Sequence, residues 1–332
     1  MVAALGAVQS QDYGGAKWAI GMRVPGLSDA DVDREFDRGA ILRTHVMRPT
    51  WHFVAPRDIR WLLALTAPRV QAMNGPYYRR AGLDAAVLKR SRRVLLRALA
   101  NGTHLTRDEL AGRLDAAGLK LRGNPLAFVM MHAELEGVVC SGPRQGRQFT
   151  YALLDERAPA ARPLDRDEAL AKLVLRYFTS HGPATARDFA WWSGLTNADA
   201  LRGLEMNGRK LTSLTREGRT YWHDGGSLPG PGRNPSIFLL PNYDESLVAH
   251  KDRLPMPPEV KTLIGGVSLG FAHHLVADGF VIGAWRRDLS ARRARIGVKC
   301  FKPLRPGWKG RVADEVERLS GFLGLPVNVD WH

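Results

Sequence analysis

The chain reads Thr106-Arg-Asp-Glu109 at the centre of its clearest pattern of secondary structure. This spacing of Thr and Glu is that of a capping box, in which each side chain accepts a hydrogen bond from the other residue's backbone N–H. A helix is therefore predicted to begin here, with Leu110 and Leu114 facing inward and Gly118 after its end.

Further helices and a hairpin are predicted around this one. Helices are expected over residues 89–99 and from about 125 to 136. Residues 138–140 and 148–153 favour strands, and they flank the turn sequence Gly142-Pro-Arg-Gln-Gly146. Helix, helix, helix, hairpin is the order of a winged-helix unit.

The same order recurs at residues 165–224. Thr185-Ala-Arg-Asp188 predicts the start of the second helix of this unit, and Glu217-Gly218 predicts the turn of its hairpin. The adjacent Trp191 and Trp192 are predicted to lie in its core.

Residues 1–56 fit the plan with its first helix missing. The helix that contains Gln9 and Gln11 is predicted to be the middle one, and Ser28-Asp-Ala-Asp31 begins the next. Residues 41–46 and 50–54 then predict a hairpin around Arg48-Pro49.

The predicted fold is α+β, with three tandem winged-helix units followed by a small, β-rich C-terminal domain that is either β-barrel-like or an α+β cap. In that domain Asp278-Gly279 predicts a hairpin turn, and a last helix is expected over about 311–323. The predicted segments are a first winged helix at 1–56, a linker helix within 57–85, a second winged helix at 86–164, a third at 165–224, a linker at 225–235 and the C-terminal domain at 236–332.

The chain is strongly basic. Its 332 residues include 48 Lys and Arg against 33 Asp and Glu, a net charge of +15. The excess is concentrated, with 14 cations against 4 anions in residues 41–113 and 11 against 4 in residues 285–318. Clustered cations favour a polyanionic partner, and double-stranded DNA is the partner we expect. The alternatives are an Arg-rich coding bias without function and a scaffold that meets an acidic protein.

Several classes of protein are not indicated. Cys140 and Cys300 cannot form a disulfide framework, and neither they nor the histidines show metal-ligand spacing. No apolar run is long enough to span a bilayer, and no signal peptide is evident. We expect a cytoplasmic, nucleoid-associated monomer with no membrane contact and no obligate protein partner.

Several motifs are spread along nearly the whole chain. They are Gly6-Ala-Val-Gln-Ser-Gln11, Leu42-Arg-Thr-His-Val-Met-Arg-Pro-Thr-Trp-His-Phe53, His132-Ala-Glu-Leu-Glu-Gly137, Cys140-Ser-Gly142, Asp188-Phe-Ala-Trp-Trp-Ser-Gly194, Leu240-Pro-Asn-Tyr-Asp-Glu245, Lys251-Asp-Arg253 and residues 283–287. These motifs resemble those of the winged-helix DNA glycosylases related to the azinomycin-resistance enzyme and to the bacterial enzyme that unhooks interstrand crosslinks. Two departures are the missing first helix and His250, where a Tyr is expected.

The resemblance implies three winged helices around a DNA channel and monofunctional base excision without a metal or organic cofactor. It also implies that Gln9 and Gln11 are the catalytic pair. On a regular helix, residues i and i+2 point to different sides, so both can face one site only at a helix start or a turn. Asp12 is a candidate for positioning water. The alternatives are that the glutamines are solvated polar residues and that Asp12 is a first-turn helix charge.

The DNA-contacting candidates are mostly cations on predicted wings. Arg43 and His45 should share one face of their strand. A half-buried His52, solvated turn charges at Arg144 and Arg147, and an internal ion pair of Lys251 and Arg253 with the Tyr243-Asp-Glu245 motif are the alternatives. The candidates are Arg43, His45, Arg48, His52, Arg144, Arg147, Lys251 and Arg253.

The hairpin over 271–285 is predicted to enter a DNA groove and support a lesion, with His273 and His274 on opposite faces of its strand. The sequence thus favours a DNA glycosylase that acts on N7-alkylguanine monoadducts or crosslinks in duplex DNA. The alternative is a non-catalytic winged-helix DNA-binding protein or regulator.

Overall fold

The computed structural model describes residues 1–227, 236–252, 273–290 and 292–332. Contacts between Cα atoms divide the chain into two compact units. The smaller unit contains residue 1 and residues 9–33 and 226–332, and the larger unit contains residues 2–8 and 34–225. The segment that the sequence assigned to one winged helix, 1–56, is therefore divided between the two units.

The described helices range in length from single turns to 25 residues. In chain order they are α1 (Val2–Leu5), α2 (Tyr13–Arg23), α3 (Asp29–Asp37), α4 (Pro56–Arg80), α5 (Ala85–Ala98), α6 (Arg107–Ala116), α7 (Gly123–Leu135), α8 (Leu154–Arg157), α9 (Arg166–His181), α10 (Ala186–Ser193), α11 (Asn197–Met206), α12 (Glu245–Val248) and α13 (Trp308–Leu323).

The described strands form four small sheets. In chain order they are β1 (Val8–Gln9), β2 (Leu42–Val46), β3 (Arg48–Val54), β4 (Leu105–Thr106), β5 (Val139–Ser141), β6 (Thr150–Leu153), β7 (Thr212–Arg216), β8 (Arg219–His223), β9 (Ile237–Leu240), β10 (His273–Ala277), β11 (Phe280–Leu289), β12 (Ala294–Cys300) and β13 (Val327–Trp331).

Capping boxes begin four helices of the larger unit. The boxes predicted at Thr106 and Thr185 are present, with side-chain and backbone bonds in both directions. Asp165 and Thr196 make the same arrangement at the starts of α9 and α11. Such caps satisfy backbone donors that the first turn leaves without partners, each worth about 1 kcal/mol.

The order of three helices followed by a hairpin occurs twice in the larger unit, as the sequence predicts. Helices α5, α6 and α7 precede β5 and β6, and α9, α10 and α11 precede β7 and β8. Leu110 and Leu114 are fully buried in one cluster with Leu95 of α5 and Val129 of α7. Helix faces with this spacing of apolar residues make the core of the 86–164 segment.

The first hairpin turns one residue earlier than predicted. Strands β2 and β3 pair antiparallel, and their register shifts between His45 and Val46. Met47, with φ of +66°, makes the turn, so Arg48 belongs to β3 and the prediction of a turn at Arg48-Pro49 was wrong. A Cβ on Gly194 would lie 2.2 Å from the Met47 carbonyl oxygen, so this approach requires glycine. At Val8, β1 lies beside β3 in the same sheet.

The linker helix is longer than its apolar pattern suggests. Helix α4 has Pro56 in its first turn, where a missing N–H costs nothing, and it continues through Pro68 and Pro76. Interior prolines remove a backbone hydrogen bond, so burial of one face must stabilise the continuous helix. Leu62 and Val70 on that face are fully buried.

The C-terminal part of the smaller unit is built on a mixed sheet in the order β13-β12-β11-β10-β9. Strand β13 runs parallel to β12, and the other pairs are antiparallel. The predicted hairpin turn is confirmed, with φ of +49° at Asp278 and +80° at Gly279. Within the described ranges β13 and β9 lie at the edges of this sheet, and the barrel-like form stays a prediction.

Helix α13 packs beside residues of the N-terminal segment within this smaller unit. The rings of Trp18 and Phe322 have centroids 5.3 Å apart, and the Trp18 indole N–H donates to the Leu239 carbonyl at 2.8 Å. These contacts hold α2 against the C-terminal sheet and helix. In the part of the chain that the structure describes, no helix is both long and apolar enough to cross a membrane.

Candidate functional site

The Gln9–Gln11 segment is not a helix. Strand β1 ends at Gln9, residues 10–12 are irregular, and α2 begins at Tyr13. The prediction that a helix contains both glutamines was therefore wrong, and the alternative of a turn before a helix start is the one observed. Gln9 is buried with 6% of its surface exposed, whereas Gln11 is exposed.

A buried carboxylate fixes the backbone at Gln9. The Gln9 N–H donates to Oε1 of Glu245 at 3.1 Å, and Glu245 is itself only 3% exposed. The neighbouring Asp244 caps α12 and accepts two hydrogen bonds from the Arg23 guanidinium, at 2.7 and 2.8 Å. The Tyr243-Asp-Glu245 motif thus bonds to Gln9, the last residue of β1, and to Arg23, the last residue of α2. Sequence reasoning did not foresee this role, although the motif itself was recognised.

Asp12 is the N-cap of α2 and is also ion-paired. Its Oδ1 accepts from the Gly15 N–H at 3.1 Å. Nη2 of Arg287 donates to both carboxylate oxygens of Asp12, at 2.8 and 3.1 Å. The interpretation of Asp12 as a charge at a helix start agrees with this geometry. Positioning of water by Asp12 stays a prediction.

His273 lies near this ion pair and is neutral at physiological pH. Its Nε2 is 3.9 Å from Asp12 Oδ2, and its Nδ1 accepts from the Asn242 N–H at 3.2 Å, which assigns the ring proton to Nε2. Burial and the adjacent Arg287 lower the pKa of His273 to about 4. The ring centroid lies 4.4 Å from that of Trp285.

His274 occupies a different environment from its neighbour. It is 3% exposed, while the His273 side chain keeps 14% of its surface. Successive side chains of a strand point to opposite faces, as predicted for this pair. A lesion contact through His274 does not fit its burial.

An open cavity of about 520 Å³ adjoins these residues within the smaller unit. Its lining includes several cationic side chains and Trp285. The lining residues include no Asp or Glu, and they are His273, Ala284, Trp285, Arg286, Arg287, Gly297, Lys299 and His332. Sequence reasoning assigned no role to Arg287 or Lys299, although Arg287 ends the 283–287 motif and both residues lie in the basic stretch 285–318.

In the larger unit, Arg43 contacts two aromatic rings. Its guanidinium carbon lies 4.2 Å from the Trp51 ring centroid and 4.7 Å from that of Phe149. The residue is 8% exposed, and its backbone N–H donates to Ser141 Oγ at 2.8 Å. These two cation–π contacts restrain the guanidinium.

Arg43 lines a second open cavity, of about 370 Å³, together with other cations. Arg147 is exposed at this cavity, and Arg107 donates to the Tyr151 hydroxyl at 3.3 Å. Asp108 also lines it, so the positive charge is partly balanced.

His45 and His52 lie inside the protein. His45 Nδ1 is hydrogen-bonded to the Glu134 carboxylate, and the ring centroid lies 4.6 Å from that of Trp51. His45 shares the Trp51 contact with Arg43, as expected of residues on one strand face. His52 is 1% exposed, with Nδ1 2.9 Å from the Thr50 carbonyl. Such burial does not fit a phosphate contact by His52.

The other predicted DNA-contacting residues differ in accessibility. The backbone N–H of Arg144 donates to Asp37 Oδ1 at 2.8 Å, and its Nε lies 3.5 Å from the same atom. Arg48 is half-buried, and Lys251 is exposed. Arg253 lies outside the described residues. Across the described ranges, no three His, Cys, Asp or Glu side chains converge as a metal site would require.

Comparison with known proteins gives concordant results. Residues 2–322 match the family model described as DNA glycosylase AlkZ-like. A curated protein of Streptomyces sahachiroi, an interstrand DNA cross-link repair glycosylase, is 26% identical over 359 residues, covering 99% of this chain and 92% of that protein.

A solved structure has a similar fold. The Streptomyces sahachiroi DNA glycosylase AlkZ superposes with a TM-score of 0.79 at 24% identity, again covering 99% of this chain and 92% of the other. The mixed α+β fold predicted from the sequence is therefore confirmed.

Proposed function

The chain belongs to the AlkZ-like DNA glycosylase family, and from this premise we propose that it hydrolyses the N-glycosidic bond of N7-alkylguanine lesions in duplex DNA. Monoadducts and interstrand crosslinks are both included, because the Streptomyces sahachiroi relative is an interstrand cross-link repair glycosylase. The observation that carries the proposal is the irregular Gln9–Gln11 segment, which Glu245 fixes at the backbone and which leaves Gln11 exposed.

The chemistry of the lesion suits neutral side chains. An N7-alkylated guanine already carries positive charge, so it departs as a neutral base without a general acid. The remaining tasks are to hold a water molecule and to stabilise a sugar with oxocarbenium character. A glutamine amide can do both, because its oxygen accepts from water or faces the cation while its NH₂ donates to a sugar or phosphate oxygen.

The two glutamines act from different positions in this proposal. Gln11 is exposed and meets the substrate directly, whereas Gln9 acts from a largely buried and fixed position. Preorganised dipoles in a site from which water is excluded contribute on the order of a few kcal/mol each. Such a contribution is sufficient for a labile, cationic lesion and insufficient for an undamaged base.

DNA binding is assigned to the helix–hairpin segments, which we take to be tandem winged helices. Arg147 is exposed at the cavity that Arg43 also lines, and the Arg43 guanidinium contacts Trp51 and Phe149, so both are assigned N–H donation to phosphates. Arg48 and Lys251 are retained as candidates, while the bond of His45 to Glu134 and the 1% exposure of His52 argue for structural roles.

The test is base release from a duplex that carries a single N7-methylguanine. The parent protein and the Gln9→Ala/Gln11→Ala double variant are compared at one salt concentration, under single-turnover conditions. A matched control is Gln71→Ala, which removes a glutamine of α4 that bonds Glu136 and Tyr78 in the larger unit. We expect release by the parent and by the control, and a loss of at least about 100-fold in the double variant.

The rival function predicts a different result. A non-catalytic DNA-binding protein would bind the duplex with strong salt dependence, and neither the parent nor the double variant would release a base. Tight binding by a parent that is inert on this lesion and on a crosslinked duplex would establish the rival.

A further inference from the structure

The open cavity of about 520 Å³ beside Asp12 has a composition that suits an anion. We propose that it binds a backbone phosphate, with its sugar, of the DNA strand on which the glutamines act. This inference rests on the proposed function, because it names the part of the DNA that the same site holds.

The charge of the cavity is the first argument. Arg286, Arg287 and Lys299 line it, and no Asp or Glu side chain does. His273 is neutral at physiological pH, since burial and Arg287 lower its pKa to about 4. A concave surface lined by positive charges raises the local concentration of anions. The phosphodiester is the anion that DNA supplies.

The donors of Arg287 are the second argument. Both of its bonds to Asp12 come from Nη2, at 2.8 and 3.1 Å. A guanidinium has five N–H groups in a planar fork, so Nε and Nη1 remain for a ligand. Arginine donors of this kind match the paired oxygens of a phosphate.

The size and the wall of the cavity are the third argument. Sites for small molecules are typically about 300–1,000 Å³, so a cavity of this size has room for a sugar as well as a phosphate. The half-buried Ala284 supplies apolar surface for the sugar, and the largely buried Trp285 indole packs against the His273 ring. At Gly297 a Cβ would lie 3.0 Å from Nε of Arg286, so glycine allows the Arg286 side chain to lie across the cavity wall.

The cavity also lies close to the proposed catalytic segment. Arg287 contacts Asp12, which directly follows Gln11, and a Cβ on Gly14 would lie 2.8 Å from Nη2 of Arg287. A phosphate that binds Arg287 would therefore sit next to the segment that carries the glutamines. Arg287 is in this proposal the residue that connects the bound strand to the start of α2.

The experiment removes one phosphate charge and one protein charge in combination. A duplex with a tetrahydrofuran abasic analogue is prepared in versions that carry a single neutral methylphosphonate at each linkage near the analogue. Binding to the parent, to Lys299→Ala and to Arg295→Ala is measured at one salt concentration. Arg295 is an exposed cation of the same strand β12 and is not part of the cavity lining, so it is the matched control.

For the parent, we expect one methylphosphonate position to weaken binding by about tenfold, the effect of a lost charge-assisted contact of about 1.4 kcal/mol. The Lys299→Ala protein should bind the all-phosphate duplex more weakly and lose less than about twofold at that position, because its contact is already gone. The Arg295→Ala protein should keep the full effect.

Two results would overturn the proposal. One is a parent without any sensitive linkage; the other is a Lys299→Ala protein as sensitive as the parent. Displacement of the duplex by a free mononucleotide, in the absence of a sensitive linkage, would assign the cavity to a small nucleotide instead. Because the duplex is already abasic, this assay measures binding without base release. A failure of the proposed activity is therefore distinguishable from a failure of this inference.

Discussion

Asp58 is a buried carboxylate with several donors around it. It is 1% exposed and lies in the first turn of α4, where the Arg176 guanidinium donates to it at 2.8 and 3.3 Å. The Trp61 indole N–H donates at 2.9 Å, and Lys172 Nζ is 3.7 Å away. The carboxylate thereby joins α4 to α9. A buried charge of this kind is tolerated only while its partners remain.

Replacing Asp58 with Asn should therefore be strongly destabilising. The Asp58→Asn protein keeps the shape of the side chain but leaves the half-buried Arg176 guanidinium without its counter-charge, so we expect a loss of about 3 kcal/mol in the free energy of unfolding. The control is Asp155→Asn, which breaks a pair with Arg60 in which the Asp side chain is 83% exposed. That change should cost less than about 1 kcal/mol. Urea denaturation measures both, and equal losses would show that burial does not set the strength of the Asp58 pair.

The candidate residues show how far strand periodicity predicts a side chain's surroundings. The alternation of side-chain direction along a strand correctly placed Arg43 and His45 on one face of β2. It could not show that Glu134 and Phe149, distant in sequence, would cover that face. The adjacent Trp191 and Trp192 are a similar case, because one is 42% exposed and the other 1%. Adjacent residues point in different directions on a helix, so the prediction that both are core was right for Trp192 only.

Among the elements, those with local signals were predicted best. The Thr106 and Thr185 capping boxes and the Asp278-Gly279 turn depend on residues within a few positions, and each is present where expected. Strand β1 has no comparable signal, because two residues become a strand only beside β3. The segment that matters most for the proposed chemistry was consequently assigned the wrong secondary structure.

Helix packing makes two interior glycines respond in opposite ways. A Cβ on Gly203 of α11 would lie 2.3 Å from Cγ2 of Val174 in α9, whereas one on Gly112 of α6 would meet nothing within 4 Å. Gly112→Ala should raise the free energy of unfolding by about 0.5–1 kcal/mol, because Ala loses less backbone entropy in a helix.

Gly203→Ala should instead lower the free energy of unfolding by about 1–3 kcal/mol, because the extra methyl overpacks the contact between α9 and α11. The midpoints of urea unfolding compare the two proteins with the parent at unchanged slope. Stabilisation by both substitutions would mean that α11 moves away from Val174 at little cost.

At the scale of the whole molecule, the division into two units follows contacts that join distant parts of the chain. Gln9 and Glu245 are 236 positions apart, and Arg23 and Asp244 are 221 apart. No periodicity or cap reports such pairs, so sequence patterns could not show that residues 9–33 group with residues 226–332. The charge pattern was more informative, since the basic stretches 41–113 and 285–318 fall in different units.

The smaller unit should be the more sensitive of the two to acid. The pKa of His273 is about 4 in the folded protein, against an ordinary 6.5, because burial, Arg287 and His274 disfavour the charged ring while Asp12 opposes them. The unfolded chain therefore binds this proton more readily than the folded one. The stability that neutral His273 contributes is fully present above pH 6.5 and is lost as the pH falls through the window from 6.5 to about 4.

Amide hydrogen exchange followed from pH 7 to pH 4 measures this effect unit by unit. Protection in β10 and β11 should fall through the window in the parent and fall less in His273→Gln, whose neutral amide oxygen can still accept from the Asn242 N–H. The control is His104→Gln in the larger unit, where the ring is half-buried and burial and Arg157 lower its pKa. Protection in α9, which belongs to the larger unit, should change little in all three proteins. If His273→Gln loses protection as steeply as the parent, the acid sensitivity of this unit does not come from His273.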